Sequence, residues 1–178
     1  MEIKTKAVIR WTLIQYESWR MYIAATGKGL CYIGSQGKSY EEMTAWILTR
    51  FPGCVLEQRD GELQTYVSEV VEYLQGTRRS FSVDMDLRGT PFQLAVWEAL
   101  GEIPYGQTWS YSEVAAHINK PASVRAVGTA IGANPLLITV PCHRVIGKNG
   151  ALTGYRGGLE MKMQLLALEQ TTSLGMAL

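Results

Sequence analysis

Apolar positions change their period along this chain, and the changes mark its elements. Trp19 to Thr26 and Gly29 to Gly34 are strand-like runs on either side of Gly27-Lys28, a pair suited to the two-residue turn of a hairpin. Tyr40 to Phe51 reads as a helix, and Leu63, Tyr66, Val67, Val70, Val71 and Leu74 recur at the spacing of one helical face until Gly76 stops the run. The period then falls to two. Phe81, Val83, Met85 and Leu87 alternate with Ser82, Asp84 and Asp86, which predicts a half-buried strand. These elements make an N-terminal α+β domain, expected over residues 1–88.

From Arg88-Gly89 onward the pattern becomes helical, and a second domain is expected over residues 89–178. Thr90-Pro91-Phe92-Gln93 sets a cap, a first-turn proline and a capping-box glutamine ahead of Phe92, Val96 and Leu100. Ile103-Pro104-Tyr105-Gly106 breaks that helix, and Ser110-Tyr111-Ser112-Glu113 is a second capping box opening a helix through about His117. Asn119-Lys120-Pro121 turns the chain into a third helix, Ala122 to Ala133, so that helix, turn and helix make a helix-turn-helix candidate. Ala126, Gly128, Thr129, Ala130, Gly132 and Ala133 leave this third helix little bulk, with Arg125 its only charge. Small residues serve tight helix packing as readily as they serve an exposed helix whose Arg125, with Lys120 at its start, meets phosphates or bases.

Next, Leu136 to Val140 reads as a short strand ending in Pro141, followed at once by Cys142, His143 and Arg144. Thiolate is the nucleophilic form of cysteine, so a reactive thiol needs a base or cations close by. Neighbours in sequence need not point the same way, and a buried cysteine packing as a small hydrophobe fits these residues as well.

Composition narrows the classes. With 178 residues, 47% hydrophobic and 19% charged, the chain has enough apolar material for one or two cored domains. A formal net charge of +1 gives no overall field toward DNA or membranes, so any nucleic-acid surface must be a local patch. Cys31, Cys54 and Cys142 form an odd, widely spaced set without a CxxC pair, which points to a reducing compartment and away from a disulfide framework or structural zinc. Cys31 and Cys54 are expected to pack. No apolar run nears membrane-spanning length, and MEIKTKAVIR lacks the core of a signal peptide, so an intracellular, cytoplasmic protein is expected.

The order of these pieces carries more than any one of them. Asn134-Pro135, then Pro141-Cys142-His143-Arg144-Val145, then Gly154-Tyr155-Arg156-Gly157-Gly158, then a helix ending Leu165-Leu166-Ala167-Leu168-Glu169, resembles the O6-alkylguanine-DNA alkyltransferases from about Arg88 to Glu169. The N-terminal half matches them in general layout. The resemblance implies an α+β fold: a ribonuclease H-like N-terminal domain and a mostly helical C-terminal domain with a helix-turn-helix of winged-helix type. It implies a DNA-repair protein without cofactor that takes the alkyl group of O6-methylguanine, and of O4-methylthymine, onto Cys142 once and irreversibly.

In that resemblance His143 draws the thiol proton through a water, Glu169 orients the imidazole, Tyr111 donates to guanine N3, and Asn134 braces the turn between helix and active-site segment. Arg125 fills the gap left by a flipped base, on a helix laid in the minor groove with Ala126 and Gly128 beside it. Val145, Tyr155, Arg156 and Gly157 border the base, and Ser112, Lys120 and Lys148 are phosphate contacts. The implied partner is double-stranded DNA bound by a monomer. Many bacterial relatives carry tryptophan where Gly157 stands, so a wider pocket mouth that admits benzyl groups is expected. Relatives with zinc use Cys and His ligands in the N-terminal half, where this chain has two cysteines and no histidine, so no metal is expected. A lesion-binding protein with a slow Cys142, and a cysteine hydrolase using Cys142, His143 and Glu169, are the competing readings. A chain starting directly at Met1 is expected to be a stand-alone repair protein.

Overall fold

The computed structural model describes residues 5–176, so the outermost residues of both expected domains, 1–4 and 177–178, lie outside the described residues, as does the start of MEIKTKAVIR. Four strands, β1 (Val8–Tyr16), β2 (Trp19–Thr26), β3 (Gly29–Ile33) and β4 (Val55–Gln58), form one sheet in the order β3-β2-β1-β4. The β2–β3 hairpin turns at Gly27-Lys28 as its sequence predicts, while β4 returns parallel to β1. Alternation sends Ile9, Ala24 and Tyr32 to one face, where they bury against Met43 and Ile47 of α1 (Tyr40–Arg50). The opposite face, with Ile14, Met21, Ile23 and Leu30, packs on Val70 and Tyr73 of α2 (Gln64–Leu74). Cys31 is buried in this sheet, its thiol pushed up to about 12 by burial, so it packs rather than reacts.

The alternating segment Phe81 to Leu87 does not become a full strand. It makes a single parallel bridge, Leu30 to Met85, through Leu30 N to Asp84 O and Asp86 N to Leu30 O. Its other amides are diverted: the carboxylate of Glu69 on α2 accepts Ser82 N at 2.9 Å and Val83 N at 3.4 Å, together with the Ser82 hydroxyl. A side chain thus takes donors that a neighbouring strand would have used.

Both capping boxes are present, starting α3 (Pro91–Gly101) at Thr90 and α4 (Tyr111–His117) at Ser110. Asn119, at φ 59°, makes the left-handed turn that leads to α5 (Val124–Gly132), and Trp97 Nε1 ties α3 to α5 through Ala130 O at 2.8 Å. Two short strands, β5 (Trp109–Ser110) and β6 (Val145–Ile146), pair in parallel beside this helix-turn-helix. The last helix, α6 (Leu159–Met176), runs on past Glu169, where the sequence reading ended it. One buried cluster continues from Ile14 and Ile23 of the sheet to Leu100, Val127 and Leu165 of the helices, which locks the two halves together.

The expected strand over Leu136 to Val140 is absent. Leu136 makes one bridge to Ile33, and then two tight turns follow in succession. Thr139 N bonds Leu137 O at 2.8 Å around Ile138, whose φ of 72° is the positive-φ γ-turn that a β-branched residue resists at a cost of about 1–3 kcal/mol. Cys142 N then bonds Val140 O at 2.7 Å around Pro141, at φ −80° and ψ 60° an inverse γ-turn. Apolarity here reflects burial of a coiled segment, which a pattern of hydrophobic residues cannot tell from a buried strand.

Candidate functional site

Asn134 holds the coiled segment in shape. Fully buried, it accepts Leu136 N on Oδ1 at 2.9 Å and donates from Nδ2 to Leu136 O at 3.2 Å, Val140 O at 3.0 Å and Cys142 Sγ at 3.2 Å. One amide therefore does the work of a strand's ladder and reaches the thiol as well. Cys142, which opens one turn of 3-10 helix (Cys142–Arg144), is 2% exposed. Burial pushes its thiol up, against the Asn134 amide and the charges of Arg156 and Lys162, so at neutral pH it is protonated.

His143, in the same turn, is fully buried, and its Nε2 lies 2.8 Å from Glu169 Oε1. Glu169, 1% exposed, also accepts Tyr73 Oη at 2.7 Å, Arg144 Nη2 at 2.8 Å and Nε at 3.0 Å, and Gly106 N at 3.2 Å. Burial alone would raise this carboxyl. The hydrogen bonds and charges of His143 and Arg144 override it and hold Glu169 down at about 2. An ionised carboxylate can only accept, so His143 Nε2 carries the proton and Nδ1 keeps its lone pair. Nδ1 is buried and has no hydrogen-bond partner among the described residues. Burial lowers the His143 pKa against the pull of Glu169, which leaves a neutral imidazole beside a neutral thiol and an ionised carboxylate. No direct bond joins Cys142 Sγ to His143 among the described residues, so adjacency in sequence is not contact here.

Three buried polar residues in this neighbourhood have contacts that the sequence does not reveal. Arg144, beyond clamping Glu169, donates Nη1 to Ile103 O at 2.7 Å. Lys162, fully buried in α6, donates to Val145 O and, at 2.9 Å, to Thr153 O. Tyr73 is not among the apolar positions that the spacing picks out on this helix, and nothing in its sequence neighbourhood singles it out. Only for Arg144 was there a signal, its place directly after the Cys-His pair.

Around this centre, Tyr111 donates to Thr153 O at 3.3 Å and lies against Gly128 of α5. The Arg156 side chain turns away toward the N-terminal half, bonding Asn134 O at 2.9 Å and Ile33 O at 2.6 Å, and Ser35 Oγ meets its carbonyl at 3.2 Å. Val145 is buried and Tyr155 half-buried in the same core as Cys142. At Gly157 the space is already filled: a Cβ there would stand 2.5 Å from Tyr155 Cε1 and 2.6 Å from Met161 Sδ. Any side chain at this position would have to displace the Tyr155 ring or the Met161 sulfur.

The other predicted residues stand on the outside. Arg125, Ala126, Lys120 and Lys148 are exposed, and Ser112 is half-buried on α4. Arg125 and Ala126 line a groove of about 670 Å3 between α5 and the start of α3, with Thr90 and Gln93 across from them. The fold therefore bonds Asn134 to Cys142 and His143 to Glu169, and leaves Arg125, Lys120 and Lys148 facing solvent. Among the described residues no group of three His, Cys, Asp or Glu side chains could hold a metal ion, and no helix is long and apolar enough to cross a membrane.

Known proteins match this arrangement over nearly its whole length. Residues 9–87 fit the family model of the 6-O-methylguanine DNA methyltransferase ribonuclease-like domain, and residues 91–171 that of its DNA binding domain. The inducible methylated-DNA-protein-cysteine methyltransferase of Bacillus subtilis is 59% identical over 94% of both chains. The regulatory protein Ada of Salmonella typhimurium is 41% identical over 90% of this chain, which spans 45% of that protein. The crystal structure of Mycobacterium tuberculosis OGT in complex with DNA has a TM-score of 0.78 at 38% identity, over 93% of this chain and 94% of that one. Matched in both halves and in the same order, this chain belongs to the 6-O-methylguanine DNA methyltransferases.

Proposed function

We propose that the protein repairs alkylated DNA by transferring the alkyl group from O6 of guanine, and from O4 of thymine, to Cys142 Sγ in a single irreversible turnover. The observation that carries this reading is the proton arrangement in the buried turn: a protonated thiol, a neutral His143 with Nδ1 free of protein partners, and an ionised Glu169 behind Nε2. The Cys142 proton passes through a water to Nδ1, and the imidazolium is stabilised by Glu169. The thiolate attacks the alkyl carbon, the carbon–oxygen bond breaks, and its electron pair leaves with guanine. Tyr111 hydrogen-bonds guanine N3 as that charge develops, and the proton lost by the thiol ends on the base. The thioether product is a poor leaving group, so the protein is consumed.

With 2% of Cys142 exposed, a base must leave the duplex stack to reach it, at a cost of a few kcal/mol that is smaller for a damaged pair. In this reading a monomer lays α5 in the minor groove, Arg125 takes the vacated place, and Lys120, Ser112 and Lys148 contact phosphates. Tyr111 and Lys162 both bond Thr153 O, which fixes the segment after β6 to α4 and α6. Residues 89–178 act on DNA while 1–88 support them, in the cytoplasm where the DNA is. Mass spectrometry after incubation with an O6-methylguanine duplex is expected to show a stoichiometric gain of one methyl, absent in Cys142→Ala. Binding without mass gain would indicate a lesion-binding protein, and repeated turnover of an ester or peptide a hydrolase.

A further inference from the structure

The N-terminal half reaches the reacting groups through the Tyr73 hydroxyl. Tyr73 on α2 is fully buried, stacked edge-on to Tyr105 and His143, and its Oη stands 2.7 Å from Glu169 Oε1 and 3.3 Å from His143 Nε2. Glu169 is ionised, so the shorter contact takes the phenol proton, and the phenol oxygen turns lone pairs toward Nε2. Nε2 then faces two acceptors and Nδ1 faces none. We propose that Tyr73 is a positioning residue of the alkyl transfer: by donating to Glu169 it sets how tightly that carboxylate holds a proton on His143, and so how ready His143 is to act as the base. This rests on the alkyl-transfer reading above and gives the N-terminal half a direct part in it.

Hydrogen-bond strength decides the direction of its effect. The bond to the carboxylate is short and charge-assisted, whereas the 3.3 Å contact to Nε2 is weak, so loss of the donor to Glu169 dominates when the hydroxyl is removed. A carboxylate relieved of one donor holds an imidazolium more tightly. Tyr73 therefore keeps His143 ready as a neutral base. The other groups facing this pair, Arg144 and Lys162 as cations, Cys142 as a thiol, and Tyr105 and Tyr155 as phenols, stay in place when only the Tyr73 oxygen is lost.

Tyr73→Phe keeps the ring and removes the oxygen. Single-turnover methyl transfer followed against pH should show the acid limb of the variant moved up by about half to one pH unit, a loss of about 3- to 10-fold below the limb that closes as pH rises. The chain has two histidines, so nitrogen NMR of labelled imidazole resolves His143 from His117 and should show the same upward move without relying on activity. Site-specific 3-fluorotyrosine at 73, a stronger donor, should move the limb down. A rate lost equally at all pH values, or wild-type rate with an unmoved His143, would overturn the assignment and leave Tyr73 as packing. Failure of the wild-type protein to gain methyl would instead remove the alkyl-transfer reading, with the NMR shift still judging Tyr73.

Discussion

Two regions of this molecule treat charge in opposite ways. Around Cys142, Glu169, Arg144 and Lys162 are buried and hydrogen-bonded: Glu169 has five donors, Arg144 clamps it and a carbonyl, and Lys162 meets two carbonyls. On the outside, Arg125 of α5, Lys120 in the turn before it and Lys148 after β6 are exposed to solvent. The buried region must be complete before substrate arrives, because an unpaired charge in the interior costs several kcal/mol. In the proposed function the exposed residues are completed by the nucleic acid, and the salt-dependent gain comes from releasing counterions there. Mutations should therefore change stability and chemistry in the first region and DNA affinity in the second.

The largest effect is expected from Glu169→Gln. It leaves Arg144 buried without a counter-charge, lowering stability by about 3–5 kcal/mol in denaturant unfolding, and slows methyl transfer by about 100-fold or more. The same site makes the fold acid-sensitive. His143 is lowered in the folded state, so its contribution is present above its ordinary value and lost as pH falls below it; Glu169, held at about 2 against an ordinary 4.5, adds on the order of 3 kcal/mol that is lost as pH falls from about 4.5 toward 2. Unfolding free energy measured against pH should be flat from neutrality up to the ordinary thiol range near 9, fall above it because Cys31 and Cys142 stay protonated only in the folded state, and on the acid side decline first through His143 and then more steeply through the carboxylates, the second step shrinking in Glu169→Gln while Glu69 and Asp86 keep their share.

Arg125→Ala tests the other region. Transfer from a duplex should slow by about 10- to 100-fold, while transfer from the same lesion in single-stranded DNA and the melting temperature stay near wild type, because only the duplex needs a filler for the vacated stack. An equal loss on both substrates would place Arg125 with the chemistry. Gly157→Ala should lower stability by about 1–3 kcal/mol, since its Cβ meets Tyr155 and Met161 and one must shift. Wild-type stability would mean that the Tyr155 ring moves easily, and inactivation by O6-benzylguanine would then measure how far the mouth opens. The smallest effect is expected from Lys120→Ala: DNA affinity weakened a few-fold whatever the sequence, with the slope of log affinity against log salt reduced by about one.

Legibility followed the range of the interactions. Capping boxes at Thr90 and Ser110 were readable because the donor and acceptor lie three residues apart, and the hairpin at Gly27-Lys28 because a turn is a local event. The Phe81 to Leu87 and Leu136 to Val140 runs were misread as strands for one reason. Their apolar spacing was right for burial, but the hydrogen bonds were taken by Glu69 in the first case and Asn134 in the second, both contacts that spacing does not encode. Tyr73 carries no local signal, and its hydroxyl acquires a partner only where Glu169, 96 residues later, comes to meet it.

The identity and order of the candidate reactive residues, Asn134, Cys142, His143 and Glu169, stand along the chain, since thiol, imidazole, amide and carboxylate are chemical types that a one-letter string records. Their protonation states do not. A thiol held protonated, an imidazole held neutral with one nitrogen free, and a carboxyl held near 2 arise from burial and from partners on α2, α6 and the 3-10 turn, and electrostatic energies depend on distance and dielectric rather than on position in sequence.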